Sequence, residues 1–177
     1  MKSPIGNYST LQAVTLEEGL KAFECPETHG HWIPAENYWK WQRNLPAALD
    51  HGHHESHMPP DGEFEDTVKF CPETGTIMTR YKVGHGLDFR IDRSITGGIW
   101  LDPGEWAALI AGNLHHELHL VFTTQWQKAI RQEQHADAYE TMLCEKLGDD
   151  LFEKLSNLRA ELAGSNGRTI AIAYLQG

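Results

Sequence analysis

Cys25-Pro26-Glu27-Thr28-His29-Gly30-His31-Trp32 recurs 68 residues later, in altered form, as Arg93-Ser94-Ile95-Thr96-Gly97-Gly98-Ile99-Trp100. The same offset sets Ser3-Pro4-Ile5-Gly6 over Cys71-Pro72-Glu73-Thr74. The chain reads as a duplicated unit, each copy spacing two knuckle-like tetrapeptides as a four-ligand zinc site does. The four ligand positions are Ser3, Gly6, Cys25 and Thr28 in the first copy, and Cys71, Thr74, Arg93 and Thr96 in the second. One thiol per copy is left. A tetrahedral structural zinc needs four Cys or His donors, because their coordination repays the ordering of so small and loop-rich a unit. The expectation is a scaffold that has lost its metal.

Around the knuckles the patterning is that of short strands. Residues 7–24 carry Leu11, Val14, Leu16, Leu20 and Phe23, interrupted by Gly19, which suits two strands and a turn. Ile77 to Val83, Gly84-His85-Gly86 and Leu87 to Ile91 form a stronger hairpin signal. The runs after Trp32 and Trp100 predict a strand turning into a helix, the second with Asp102 as N-cap and Pro103 in the first helical position. Residues 44–66 are rich in His, Pro, Gly, Asp and Glu without apolar periodicity, and read as an exposed linker. From Pro103 onward apolar residues recur at helical intervals. Gly112-Asn113 interrupts them, Thr124-x-x-Gln127 has capping-box spacing for a long helix ending near Gly148, and Asp150-x-x-Glu153 starts another ending near Gly164. The segment 169–175 alternates like a strand but follows helices, so both assignments stay open.

The chain has 177 residues, 40% hydrophobic and 23% charged, with a formal net charge of −10. That balance opposes nucleic-acid binding, which requires Lys and Arg gathered on one face. Cys25, Cys71 and Cys144 are an odd number in unlike contexts, which argues against a disulfide framework and for a reducing compartment. No apolar run approaches the roughly 18 residues of a membrane span, and the N-terminus lacks an apolar leader-like stretch. A cytoplasmic protein without membrane contact is expected.

Thr96-Gly97-Gly98-Ile99-Trp100-Leu101-Asp102 resembles the end of the signature of the bacterial TFIIB-type zinc-ribbon family, in which a Cys-Pro-x-Cys pairs with Cys-x-x-Cys-Gly-Gly-x-Trp-Leu-Asp. Arg80 to Phe89 and Leu114-His115-His116-Glu117-Leu118-His119 look like a two-ribbon branch of the same family. The resemblance spans roughly residues 1–130 and implies an α+β fold: two zinc-ribbon-like β units, each followed by a helix, and a helical C-terminal part. The corresponding segments are 1–43 for the first ribbon and helix, 44–66 for the linker, 67–102 for the second ribbon and 103–177 for the helical part. It also implies zinc binding and a macromolecular partner. Structural zinc contributes on the order of 10 kcal/mol in such units, so without it the missing stabilisation must come from apolar burial. The six tryptophans, Trp32, Trp39, Trp41, Trp100, Trp106 and Trp126, are the expected source.

Three constellations are candidates for chemistry. Cys25, His29 and His31 are candidate metal ligands with no fourth partner in sight; the favoured reading is a surviving knuckle cysteine beside two surface histidines with no cofactor, and zinc is the alternative. His51, His53, His54 and His57 form a dense imidazole run of a kind that chelates transition metals. His115 and His119 lie one helical turn apart, and with Glu117 and His85 they form a candidate functional cluster. The zincin spacing His-Glu-x-x-His is absent. No nucleophile elbow, phosphate loop or dinucleotide fingerprint is present, and Glu17-Glu18 reads as a solvated turn. The leading expectation is a non-enzymatic module that shows exposed aromatic and acidic surface to a protein partner. A residual zinc or transition-metal-binding protein is the alternative, and an enzyme using His85, His115, Glu117 and His119 ranks third.

Overall fold

The computed structural model describes residues 1–45 and 62–176. Most of the expected linker, including the imidazole run from His51 to His57, lies outside the described residues. The chain divides into two compact units, Met1–Ile130 and Arg131–Gly177.

The first unit is built on one antiparallel sheet. Its strands are β1 (Gln12–Thr15), β2 (Lys21–Glu24), β3 (His31–Ile33), β4 (Thr79–Gly84), β5 (Leu87–Arg93) and β6 (Ile99–Leu101), in the order β1-β2-β3-β6-β5-β4. Helix α1 (Ala35–Arg43) follows β3, and α2 (Glu105–Ala111) and α3 (Leu118–Val121) follow β6. The two β units therefore share a sheet, joined where β3 pairs with β6. In that pairing Trp32 faces Trp100, with His31 opposite Leu101 and Ile33 opposite Ile99. Side chains alternate across a strand, so Ile33, Ile99 and Leu101 enter one core with Tyr38, Trp41, Trp106, Leu109 and Leu118 of the helical segments. Trp32 and Trp100 enter a second core with Ile5, Leu11, Cys25, Cys71 and Met78, which come from the knuckles and the segments beside them. The expected hairpin between β4 and β5 turns at His85 and Gly86, whose φ values of 53° and 83° are the positive pair that a tight two-residue turn demands.

Asp102 does not cap α2. Gly104, at φ 82°, precedes the helix instead, while the Asp102 carboxylate accepts bonds from Lys69 Nζ at 2.7 Å and Trp100 Nε1 at 2.8 Å. A buried ammonium attracts a carboxylate more strongly than neutral helix N–H groups do. Lys69 Nζ also donates to Asp92 Oδ2 at 2.8 Å, and the Asp102 N–H donates to Glu105 Oε2 at 2.7 Å. Burial pushes the Glu105 carboxyl well above its ordinary 4.5, and the Asp102 charge adds to the rise. Because the folded pKa is the higher one, the contribution of this group to stability is complete below about pH 4.5 and is lost as pH rises through the folded pKa. Unfolding free energies from urea denaturation are expected to fall across that range by up to about 1.4 kcal/mol per pH unit. Glu105→Gln is expected to flatten this slope and to be the more stable form at pH 8; parallel profiles for the two proteins would refute the assignment.

The second unit contains the rest of α4 (Thr124–Leu147) together with α5 (Asp149–Leu162) and α6 (Arg168–Gln176). The cap of α4 falls one residue before the expected Thr124: Thr123 Oγ1 accepts the Trp126 N–H at 3.2 Å. Gly148, at φ 76°, separates α4 from α5. Residues 168–176 are helical, which decides the open assignment of the last segment. None of the described residues 131–176 is buried. Among the described residues no helix is long and apolar enough to cross a membrane.

Candidate metal centre

The turn joining β1 to β2 is tight, and its middle residue is not glycine. Glu18 sits at φ 54°, followed by Gly19 at φ 83°; a left-handed non-glycine residue costs about 1–2 kcal/mol and calls for a local reason. Its carboxylate supplies one, since Glu18 Oε2 lies 2.7 Å from His116 Nε2. Glu17 beside it accepts the Trp106 indole N–H. The pair expected to be a solvated turn is thus tied to the segment that follows the sheet.

The two imidazoles reach it through a break in the helices. Gly112 ends α2 and Asn113 takes φ 54°, after which His115–Glu117 form a single 3₁₀ turn. His115 and His116 are both buried there, their ring centroids 3.7 Å apart. The His115 ring bonds the Leu109 carbonyl, yet its Nδ1 is buried without a partner. The nitrogen facing Leu109 is therefore Nε2, and Nδ1 carries a free lone pair. Burial holds this imidazole below its ordinary pKa, with His116 reinforcing the shift and the Glu18 carboxylate opposing it. Among the described residues, Glu18, His115 and His116 are the group of potential metal ligands whose donor atoms all lie within 4.8 Å of one another.

Aromatic side chains wall the group. The Trp41 ring stands 5.5 Å from His116 and 6.5 Å from His115, and Trp106 meets His115 edge-on at 5.8 Å. The Trp41 Nε1 is another buried polar atom without a partner. Two imidazoles and one carboxylate can hold a first-row divalent cation and leave coordination positions vacant for a further ligand. A buried lone pair with no donor is the feature such an ion would satisfy.

The other candidates fall elsewhere. His85 is exposed at its hairpin tip, with its ring 4.4 Å from that of Trp126. His119 Nδ1 lies 2.9 Å from Tyr38 Oη, and its main-chain N–H donates to the same oxygen; burial raises the Tyr38 hydroxyl to about 12. Glu117 is half-buried in the 3₁₀ turn. The expected four-residue pairing of His115 with His119 fails because a 3₁₀ turn, with its different rotation per residue, precedes α3. His116 is the second imidazole instead. Cys25, His29 and His31 do not converge: Cys25 is buried among the knuckles, the side chain of His29 is 72% exposed with Nδ1 on Glu24, and the buried Nδ1 of His31 has no partner.

At the knuckles each thiol is surrounded by hydroxyls. Burial raises the Cys25 pKa, but bonds from Ser3, Thr28 and the main-chain N–H groups of Thr28 and Glu27 together bring it below its ordinary value. Cys71 repeats the pattern with Ser94, Thr74 and the N–H groups of Thr74 and Glu73. The partner of Cys71 is Ser94, not Arg93, whose guanidinium lies 4.8 Å over the Phe122 ring. The reason is a shorter turn. Cys25 N–H bonds Gly30 O, five residues on, whereas Ser94 N–H bonds Gly98 O, four residues on, so sequence offset alone misplaces this position by one. Of the six tryptophans only Trp39 is exposed.

No protein-family model, curated protein or solved structure matches the chain.

Proposed function

We propose that this chain is a transition-metal-binding protein whose ligands are Glu18, His115 and His116. The observation that carries the reading is the convergence of Glu18, His115 and His116, whose donor atoms lie within 4.8 Å of one another, at an imidazole that keeps a buried, unpartnered Nδ1. His116 Nε2 and Glu18 Oε2 lie 2.7 Å apart; these two groups would hold a divalent cation with the His115 imidazole as the third donor. The left-handed backbone at Glu18 fits a residue placed for ligation rather than for turn formation. On this reading the knuckles are the relic of a duplicated zinc-ribbon ancestor, supported by the 68-residue self-match and by the register that sets Trp32 opposite Trp100. Ser3, Thr28, Ser94 and Thr74 stand around the two remaining thiols and supply hydrogen bonds in place of coordination. The metal role then belongs to a different corner of the sheet.

The test uses the full chain with His51, His53, His54 and His57 changed to Ser, so that the imidazole run does not compete for the ion. Dialysis against Zn(II) followed by elemental analysis is expected to retain one equivalent, and Glu18→Gln or His116→Gln to lose most of it. With the ion at a hundred times its dissociation constant, binding adds about 2.7 kcal/mol, which raises the Tm by about 5–10 °C. Equal zinc retention by Glu18→Gln and the parent would reject these ligands.

A further inference from the structure

Helix α5 carries Leu151, Leu155, Leu158 and Leu162, at intervals of four, three and four residues. That alternation is the one of a coiled-coil seam, and it places all four leucines on one stripe of the helix. Leu151 and Leu155 are 46% and 40% exposed, and Leu158 and Leu162 are half-buried. Among the described residues neither α4 nor α6 runs closely along α5, so the stripe lacks a covering helix within its own unit. We propose that α5 pairs antiparallel with α5 of a second copy of this chain, making a two-fold dimer. No residue of this pairing belongs to the proposed metal ligands.

Charge beside the stripe selects this partner and this direction. With Leu151 and Leu158 in d positions and Leu155 and Leu162 in a positions, Lys154 and Glu161 occupy g, and Phe152 and Arg159 occupy e. An antiparallel pair sets Leu155 level with the partner's Leu158 and Leu151 level with the partner's Leu162, which brings g against g and e against e. Lys154 then meets the partner's Glu161, and Arg159 meets the ring of the partner's Phe152, each contact occurring twice by symmetry. A parallel pair brings g against e and sets Lys154 beside the partner's Arg159, which repels it. Lys154, Arg159 and Glu161 enter no ion pair among the described residues.

Area agrees with charge. None of the described residues 131–176 is buried in one chain, and helices offset the entropy of ordering only by burying an apolar face. Helix α6 has no charged residue from Thr169 to Leu175 and exposes Ile170, Ile172, Tyr174 and Leu175, whereas a helix apolar on every side is ordinarily a covered one. With Leu151 and Leu155 these side chains expose on the order of 600 Å² of mostly apolar surface per chain. A stable interface takes about 800 Å² per partner, little more than half of it apolar. A lipid surface fits less well. On α5 Asp149, Asp150, Glu153 and Glu161 outnumber Lys154 and Arg159, and anionic headgroups attract the opposite balance.

Sedimentation equilibrium of the full chain, in chelator so that no ion bridges two copies, is expected to give twice the mass of one chain, with dissociation on dilution. Leu151→Gln combined with Leu155→Gln keeps the helix propensity and is expected to raise the dissociation constant of the dimer about a hundredfold or more. All six tryptophans lie in the first unit, so their unchanged fluorescence shows that this variant remains folded there. Glu161→Lys alone, or Lys154→Glu alone, is expected to weaken the dimer about tenfold, and the two together to restore it. A chain that stays monomeric, a dimer indifferent to the leucine changes, or a charge exchange that fails to restore the parent's constant would each overturn the proposal. So would a monomer that binds anionic phospholipid vesicles through these leucines. The metal site stands in every one of these outcomes.

Discussion

Gly98→Ala is expected to cost about 3 kcal/mol or more of folding stability, at or beyond the upper end of ordinary overpacking. A Cβ at Gly98 would lie 2.3 Å from Trp32 Cη2 and 2.4 Å from Cζ2. The indole is a rigid plate that is 0% exposed, so it cannot yield by swinging a flexible end. It must move as a whole against Ile5, Cys25, Met78 and Trp100. Gly30 meets the other tryptophan in the same way: its Cβ would stand 2.5 Å from Trp100 Cζ2 and 3.1 Å from Leu101 O. Each indole thus lies over the glycine of the opposite knuckle, and Gly30→Ala should be as damaging. Gly75, at φ 69° with nothing within 4 Å of its Cβ, is the control, where Ala costs only the left-handed backbone penalty of about 1–2 kcal/mol. Urea denaturation of the three variants checks the ranking. In a double-mutant cycle, Trp32→Leu should recover part of the Gly98→Ala loss; strict additivity, or a Gly98→Ala loss no larger than that of Gly75→Ala, would contradict the packing account.

Lys69→Met is the second large effect, about 3–5 kcal/mol, the usual cost of removing one partner from a buried ionic group. Lys69 is 2% exposed and its ammonium lies between Asp92 and Asp102, themselves 2% and 8% exposed. Arg80 Nε, 3.5 Å from Asp92 Oδ1, is the remaining cation. Without Lys69, two buried carboxylates and Glu105 face one another, and the Asp92 pKa, already raised by burial, rises further. The sign follows from linkage: folded pKa values above the unfolded ones make the variant relatively more stable in acid, so its deficit should shrink toward pH 4. Adding Asp92→Asn and Asp102→Asn to Lys69→Met should restore much of the loss, because no charge is then left without a partner. Chevron or equilibrium urea data on the single and triple variants decide the matter, and a Lys69→Met protein as stable as its parent would show that Arg80 alone suffices.

Much of the frame is readable from local signals. The glycines at 84 and 86 around His85 demand a tight turn, the Gly112-Asn113 pair stops a helix, and apolar spacing places the long helices. The knuckle offset brings Ser3, Cys25 and Thr28 together as expected, and in the second copy Cys71 with Thr74. The site is far less legible. Glu18 and His116 are 98 residues apart, and nothing near Glu18 distinguishes it from any acidic turn residue except the glycine after it. Reading His115 and His119 at helical spacing fails because the backbone there tightens into a 3₁₀ turn, a choice made by the packing of Leu114 and Leu118 against the sheet-and-helix core. Lys69 carries no signal either, since a buried lysine is intelligible only once both of its aspartates are placed.

The sequence by itself determined the elements and their turns, because those depend on contacts within a few residues: glycine's freedom at positive φ, side-chain alternation, helical periodicity and capping. Tertiary structure alone decided which strands meet, that Trp32 stands opposite Trp100, that Lys69 lies between two acids, and that a strained glutamate reaches two imidazoles. Those outcomes depend on the free energy of burying and pairing groups far apart in the chain, and a residue's chemistry does not announce its distant partner.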